Sequence, residues 1–150
     1  MEINEYKKFV RSFSFESNIK RSQNRKDKTQ EYFTPTKLAQ EVLDKMEESK
    51  PDLFSDKTKK LLDNACGDGQ FLTEIVIRKM TKSGCTLVEA LSVTFGVDLM
   101  EDNVKLCRQR LGGINPTQEI IDILEKNIVC ADALTYDYNF GEPKGLEKYL

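Results

Sequence analysis

The segment LLDNACGDGQFL, residues 61–72, places a short apolar run directly before a turn that contains two glycines. The leading Leu-Leu pair is typical of a buried strand, and Gly67 and Gly69 permit the backbone conformations that a tight turn needs. After the turn, apolar residues recur at helical spacing until Gly84. The segment therefore predicts a strand, a glycine turn and a helix in immediate succession.

Helical and strand patterns alternate along the rest of the chain. A helix is predicted to start with Thr34 as its cap and Pro35 at its first helical position, and to carry Leu38, Val42 and Met46 on one stripe. SVTFGVD and NIVCAD are typical of two further strands, with helical periodicity between them. This alternation favours right-handed crossovers onto a parallel sheet. The predicted fold class is therefore α/β.

Length and residue usage limit the classes of protein to which the chain can belong. A chain of 150 residues is long enough for one domain with its own core. No apolar run approaches the ~18 residues of a membrane span, and the N-terminus lacks the apolar part of a signal peptide. We therefore expect a soluble, cytoplasmic protein without a membrane partner.

Cysteine and histidine usage excludes several kinds of chemistry. The four cysteines are widely spaced and form no Cys-x-x-Cys pair, which argues against a zinc site and a disulfide framework. The chain contains no histidine, which excludes an imidazole base or a Ser-His pair. We predict no metal site.

Basic residues concentrate in one N-terminal segment. This segment begins at Lys20 and ends at Lys28, and it holds five basic residues, one acid and no apolar residue. It is either a solvated surface or a contact for DNA or a partner protein, and both interpretations stay open. We divide the chain into an N-terminal helical and basic arm, residues 1–33, and an α/β domain, residues 34–150.

Acidic residues lie at or near the ends of the three predicted strands, at Asp63, Asp98 and Asp132. In an open parallel sheet, ligands bind outside the carboxyl ends of the strands. The glycine turn lacks the Lys-Ser/Thr of a Walker sequence and the third glycine of G-x-G-x-x-G, and Asp68 is expected to repel a pyrophosphate. The expected ligand carries hydroxyl and amino groups rather than phosphate, as S-adenosylmethionine does.

Four segments resemble motifs of one enzyme family. DNACGDGQFL resembles the D-P-A-C-G-S-G-x-F-L loop of amino-group DNA methyltransferases, chiefly the adenine-specific class of restriction-modification systems and phages. QEYFTP resembles the Q-x-F-T-P segment that precedes that loop, and FGVDLMEDNVKLCRQRL and NIVCADAL resemble the second and third cofactor motifs. The motifs occur in the family's order over about residues 30–135. The departures are Asn64 for proline, Asp68 for serine, and Asp98 where the family often has glutamate.

The resemblance implies a Rossmann-like, S-adenosylmethionine-dependent methyltransferase fold, with a truncated parallel sheet and an N-terminal helical segment. It implies that Asp63 and the glycine loop hold the methionine part of the cofactor, and that Asp98 accepts hydrogen bonds from the ribose hydroxyls. Asp132 would accept from the adenine amino group. The complete set of implied cofactor-binding residues is Tyr32, Phe33, Thr34, Asp63, Ala65, Cys66, Gly67, Gly69, Phe71, Asp98, Leu99, Met100, Asp132 and Ala133.

Several of these residues also have a purely structural interpretation. Asp63 or Asp98 could cap the helix that follows it, and Tyr32 and Phe33 could pack rather than close a pocket. Phe71 is assigned to the core as well as to the pocket. Two further residues, Val76 and Leu111, are predicted to belong to the core alone.

One element of the family is missing. Adenine methyltransferases of this type hold the extruded base with an N-P-P-Y or D-P-P-Y sequence, whereas this chain has no Pro-Pro. We therefore assign no catalytic residue. The aromatic residues Tyr136, Tyr138 and Phe140 are the remaining candidates for a stacking platform, and packing in a strand or at the sheet edge is the favoured interpretation.

Three functions stay open from the sequence. The favoured one is the cofactor-binding part of an adenine-N6 DNA methyltransferase, completed by further sequence or by a partner chain and inactive alone. The second is an inactive, methyltransferase-like binding or regulatory protein, and the third is a small-molecule or protein methyltransferase. A short sheet is expected to leave an edge strand and apolar helix faces uncovered, for a partner chain or for self-association.

Overall fold

The computed structural model describes residues 2–20 and 34–141, with only the backbone described for residues 14–20. Six helices and three strands occur within these ranges. In chain order they are α1 (Ile3–Lys20), α2 (Thr36–Ser49), β1 (Leu61–Asp63), α3 (Gln70–Ser83), α4 (Leu87–Ser92), β2 (Thr94–Asp98), α5 (Glu101–Gly112), α6 (Gln118–Asn127) and β3 (Ile128–Cys130). The α/β class predicted from the sequence is confirmed.

The three strands form a parallel sheet in the order β1-β2-β3. Leu61 aligns with Thr94 between the first two strands, and Gly96 aligns with Ile128 between the last two. Helices α3 and α4 connect β1 to β2, and α5 and α6 connect β2 to β3. Because all strands run the same way, their carboxyl ends meet at one edge of the sheet.

Helix α2 begins one residue later than the sequence predicts. Pro35, and not Thr34, occupies the N-cap, and no side chain caps this helix. The Pro35 backbone is extended, with φ −60° and ψ 148°, and its carbonyl accepts the N–H of Ala39. Thr34 was wrong as the cap because an extended Pro35 moves the first helical residue to Thr36.

The buried core includes residues from both ends of the described chain. Tyr6 and Val10 of α1 are buried in the same cluster as Val76 and Leu111, which confirms the two core predictions. Phe71 is only partly buried and packs against this cluster. Helix α1 therefore shares the core of the sheet domain, while the boundary predicted at residue 33 lies outside the described residues.

Helix α2 turns its predicted apolar stripe outwards. Leu38, Val42 and Met46 are 48%, 37% and 42% exposed, whereas Ala39 and Leu43 are buried. The inward face is thus rotated by one residue from the stripe that the periodicity suggested. Beside the stripe, β1 forms one edge of the described sheet and exposes 48% of Leu62. An apolar surface follows α2 and this strand edge.

The segment after β3 is irregular rather than a strand. Its aromatic rings pack together, with the centroids of Tyr136 and Phe140 5.4 Å apart and those of Phe140 and Phe95 4.8 Å apart. Phe95 lies on β2 in register with Leu62, so this cluster covers part of the sheet face that Leu62 shares. Packing was the correct interpretation of these rings, but a strand was not.

None of the helices in the described ranges combines the length and the apolar character that crossing a bilayer requires.

Candidate functional site

The acidic residues singled out from the sequence follow the carboxyl ends of the strands. Asp63 is the last residue of β1, Asp98 is the last residue of β2, and Asp132 follows β3 by two residues. The N–H of Ala131 donates to the Asp98 carbonyl at 3.0 Å, which extends the pairing beyond β3. The fold therefore brings these residues to the edge of the sheet where ligands of parallel sheets bind.

Asp98 connects the glycine loop to the start of α5. Its Oδ1 accepts the N–H of Gly67 at 3.1 Å, and its Oδ2 accepts the N–H of Met100 and the Nδ2 of Asn103, each at 3.0 Å. A carboxylate accepts about four hydrogen bonds. Asp98 therefore has a structural role, and it keeps room for one further donor, such as a hydroxyl group.

Asp63 has more unused hydrogen-bonding capacity for a ligand than Asp98. Its Oδ1 accepts the N–H of Ala65 at 3.0 Å. Burial raises the pKa of Asp63 above its ordinary value, the Ala65 N–H opposes this, and the nearby Asp98 carboxylate raises it further. Within the described part of the chain, neither acid has an ion-pair partner. A ligand with a positive charge would offset both the cost of burying the Asp63 carboxylate and its repulsion by Asp98.

The third strand end forms a tight turn. The carboxylate of Asp132 accepts the N–H of Leu134 at 2.9 Å, and its carbonyl accepts the N–H of Tyr136 at 2.8 Å. The Ala133 carbonyl accepts the hydroxyl of Tyr138 at 2.6 Å. Asp132 remains exposed to solvent, and Leu99 at the end of β2 is 66% exposed. Both side chains are accessible to a ligand above the strand ends.

The two glycines allow the loop to pack closely against the protein interior, in addition to letting a ligand approach its backbone. Gly67 and Gly69 have φ values of 54° and 97°, in the left-handed region that side chains disfavour. A Cβ at Gly69 would lie 2.8 Å from the sulfur of Cys107. The Cys66 side chain is buried, and a hydrogen bond with Cys107 together with burial raises its pKa. Cys66 is therefore a neutral packing residue, and its N–H donates to the Val97 carbonyl at 3.0 Å.

Asp68 does not face a ligand, contrary to the expectation that it repels a pyrophosphate. The side chain is buried, and its Oδ1 lies 3.6 Å from Nη1 of Arg110. An internal ion pair largely cancels its charge towards the outside. The preference for a ligand without phosphate therefore depends on Asp63 and Asp98 instead.

A cavity of about 230 Å³ lies between α2, β1 and α3. Its walls are apolar apart from Asp63 and Asn64. It is smaller than the ~300–1,000 Å³ of typical ligand pockets. Of the predicted cofactor-binding residues in the described ranges, Asp63 and Phe71 line it, and the others lie around the glycine loop and the strand ends.

Some residues predicted to bind a cofactor or DNA are not among those at the strand ends or the glycine loop. Tyr32 and Phe33 lie outside the described residues, as does the basic segment beyond Lys20, while Thr34 is partly buried just before α2.

Two buried residues at the site were missed by the sequence reasoning. Asn103 binds Asp98 from the first turn of α5, and its position five residues after Asp98 was an available signal. Arg110 pairs with Asp68 across a long sequence separation. No local pattern indicates such a pair, because it arises only when α5 packs behind the loop.

Comparisons of the chain with protein-family models, with curated proteins and with solved structures give no match. The ligand must therefore be inferred from the residues of the chain itself.

Proposed function

We propose that this chain is the S-adenosylmethionine-binding part of an adenine-specific DNA methyltransferase with a Rossmann-like fold. The observation that carries the proposal is the pair of carboxylates, Asp63 and Asp98, beside the glycine loop without a basic partner in the described residues. S-adenosylmethionine supplies an ammonium group, a sulfonium and two ribose hydroxyls, and it has no phosphate for these acids to repel.

Each end of the proposed ligand has a matching group. Asp63, with its raised pKa, would bind the ammonium group, and Asp98 would accept one ribose hydroxyl on its remaining lone pair. Leu99 presents an exposed apolar surface to an adenine face, and the exposed Asp132 would accept from the adenine amino group. The ammonium group, the ribose and the adenine would thus lie in turn over the ends of β1, β2 and β3, which is the order of the strands in the sheet.

The exposed edge at β1 supports the view that more protein is needed for methyl transfer. Met46 and Leu62 line the apolar cavity, and Leu38 and Val42 are exposed on the same stripe of α2 as Met46. A further strand and helix, from additional sequence or from a partner chain, would cover this surface and supply the base-binding element.

The second candidate is an inactive binding or regulatory protein. Its support is that Tyr136, Tyr138 and Phe140 pack against one another, and both tyrosine hydroxyls form hydrogen bonds within the segment. These rings are therefore not free to stack on an extruded base.

Binding of the demethylated product tests the proposal. Asp98→Asn keeps an oxygen for the Gly67 N–H but loses the charge and the second acceptor oxygen, which binds Met100 and Asn103. S-adenosylhomocysteine affinity should therefore fall by about 1–3 kcal/mol in isothermal titration. Glu101→Gln is the matched control, since it removes an exposed acid three residues away and should leave the affinity unchanged. Equal affinity for wild type and Asp98→Asn contradicts the assignment of Asp98.

The affinity should depend on pH through Asp63. The ammonium group of the ligand favours the ionised carboxylate, so binding lowers the raised pKa of Asp63 and releases a proton. Affinity should therefore rise as pH increases from the ordinary Asp value near ~4 through the raised pKa, and then level off. Asp63→Asn should abolish this dependence, whereas the exposed Asp52→Asn should retain it. A rise that persists in Asp63→Asn would assign the titration to another group.

The chain alone should not methylate DNA. Transfer to an exocyclic amine requires a base held in line with the sulfonium, and positioning supplies much of the rate. We expect no incorporation of labelled methyl groups from S-adenosylmethionine into unmethylated DNA by the purified chain. Incorporation that disappears in Gly67→Val would show that catalysis is assembled here without a Pro-Pro element.

A further inference from the structure

Arg110 joins three segments at the back of the glycine loop. The side chain lies on α5 and is fully buried. Its Nε donates to the Val10 carbonyl of α1 at 2.6 Å, and its Nη2 donates to Oε1 of Gln70, the first residue of α3, at 2.7 Å. Its Nη1 lies 3.6 Å from the Asp68 carboxylate. A planar guanidinium fixes the relative geometry of all its partners.

The position of Asp68 depends on this contact. Asp68 is 3% exposed, and its second carboxylate oxygen has no hydrogen-bond partner among the described residues. A buried carboxylate without its cation is strongly unfavourable. The two groups are an ion pair without a hydrogen bond between Nη1 and the carboxylate. Displacement of Arg110 would therefore remove the charge that stabilises Asp68, which lies between Gly67 and Gly69 in the loop.

Helix α1 has further contacts besides the one with Arg110, and among the described residues none of them is with the glycine loop itself. The Tyr6 hydroxyl donates to the Leu111 carbonyl at 2.8 Å, and Arg11 donates to both oxygens of Glu74 at 3.1 and 2.8 Å. These contacts hold α1 in place, and α1 in turn supplies the Val10 carbonyl to Arg110. The state of α1 can thus reach the loop through Arg110, and the Arg11–Glu74 pair also ties α1 to α3, the helix that follows the loop.

We propose that the docking of α1 regulates ligand binding at the glycine loop, with Arg110 and Asp68 as the coupling pair. The inference rests on the proposed function for the identity of the ligand. By reciprocity, a ligand that fixes the loop strengthens the docking of α1, and displacement of α1 weakens ligand binding by the same factor. Arg110 and Asp68 are positioning residues, because neither contacts the ligand.

The first experiment measures affinity in variants of the full chain that loosen α1. Tyr6→Phe removes the hydrogen bond to the Leu111 carbonyl that helps to hold α1, and it replaces neither Arg110 nor a residue of the loop. Because α1 is then less firmly docked, S-adenosylhomocysteine affinity should fall roughly fivefold or more. Lys8→Gln, an exposed change on the same helix, is the control and should leave affinity unaltered. If Tyr6→Phe raises amide exchange in α1 but leaves the affinity unchanged, the coupling is overturned.

The second experiment measures amide hydrogen exchange of residues 6–13. Without ligand, Asp68→Asn should speed this exchange, whereas the exposed Asp122→Asn should not. With S-adenosylhomocysteine, exchange should slow in the wild type and stay unchanged in Asp68→Asn. Equal exchange in wild type and Asp68→Asn without ligand overturns the coupling.

The two proposals fail in different ways. If S-adenosylhomocysteine does not bind the wild type, the proposed function is wrong, and the ligand-free exchange in Asp68→Asn still decides whether α1 and the loop are coupled. If it binds but slows no exchange in α1, the function stands and the coupling is wrong.

Discussion

Gly69→Ala is expected to lower the free energy of unfolding by about 2–5 kcal/mol, because it combines backbone strain with overpacking. Gly69 has φ 97°, and a Cβ there would lie 2.8 Å from Cys107 Sγ and 3.6 Å from its Cα. The contact is with a buried residue of α5, so neither side can move away cheaply. Urea denaturation of the two proteins measures the difference.

Gly84→Ala measures the cost of left-handed backbone strain without the close contact that Gly69→Ala makes with Cys107. Gly84 also has a left-handed backbone, with φ 74°, but an added Cβ would meet nothing within 4 Å. Its expected loss is about 1–2 kcal/mol, from strain alone. Adding Cys107→Ala to Gly69→Ala should recover part of the loss, since it removes the sulfur. Equal losses at Gly69 and Gly84 would show that the close contact with Cys107 costs nothing.

Arg110→Met is expected to destabilise the protein by about 3–5 kcal/mol, because it leaves the Asp68 carboxylate buried without its cation. Burial lowers the pKa of the Arg110 guanidinium, and the Asp68 carboxylate opposes this, as expected for a charge held in the core by its partner. Combining Arg110→Met with Asp68→Asn should destabilise less than Arg110→Met alone, since no unpaired charge remains.

An exposed ion pair provides the comparison. Lys57 pairs with Glu89 at 2.7 Å on the surface, where solvent screens the interaction, so Lys57→Met should leave the unfolding midpoint essentially unchanged. If Arg110→Met were as mild as Lys57→Met, the buried network would not stabilise the fold, and its role in coupling would lose support.

The alternation of helices and strands from residue 36 onwards followed from the sequence, and the helix ends in this part of the chain carry strong local signals. Gly84 ends α3 with φ 74°, and Thr86 forms a capping box with Glu89 at the start of α4. Thr117 caps α6 by accepting the N–H of Ile120. Such signals act within one helical turn, so they are visible without knowledge of the fold.

The orientation of α2 could not be predicted in the same way. Its stripe of Leu38, Val42 and Met46 has helical spacing, yet the buried residues are Ala39 and Leu43. Periodicity reports that a helix has an apolar side, whereas the neighbouring elements decide which side is buried. Met46 of this stripe lies near the edge strand β1, beyond which the described sheet has no further strand.

At the candidate site, the sequence located the acids but not their partners. Asp63 and Asp98 end strands as predicted. Neither caps the next helix, since the N-caps of α3 and α5 are Gly69 and Met100. The inward direction of Asp68 was missed, because the sequence does not show that Arg110 approaches from behind the loop. Long-range pairs of this kind become visible only in the folded chain.

Backbone amide NMR of the labelled 150-residue chain during titration with S-adenosylhomocysteine tests the central claim most directly. We predict saturable shifts at Ala65, Gly67, Leu99, Met100 and Ala133, which surround the three strand ends, and smaller shifts in α6. Saturable shifts confined to the surface of α2, or spectra that do not change at millimolar ligand, would contradict a cofactor site at the carboxyl ends of the strands.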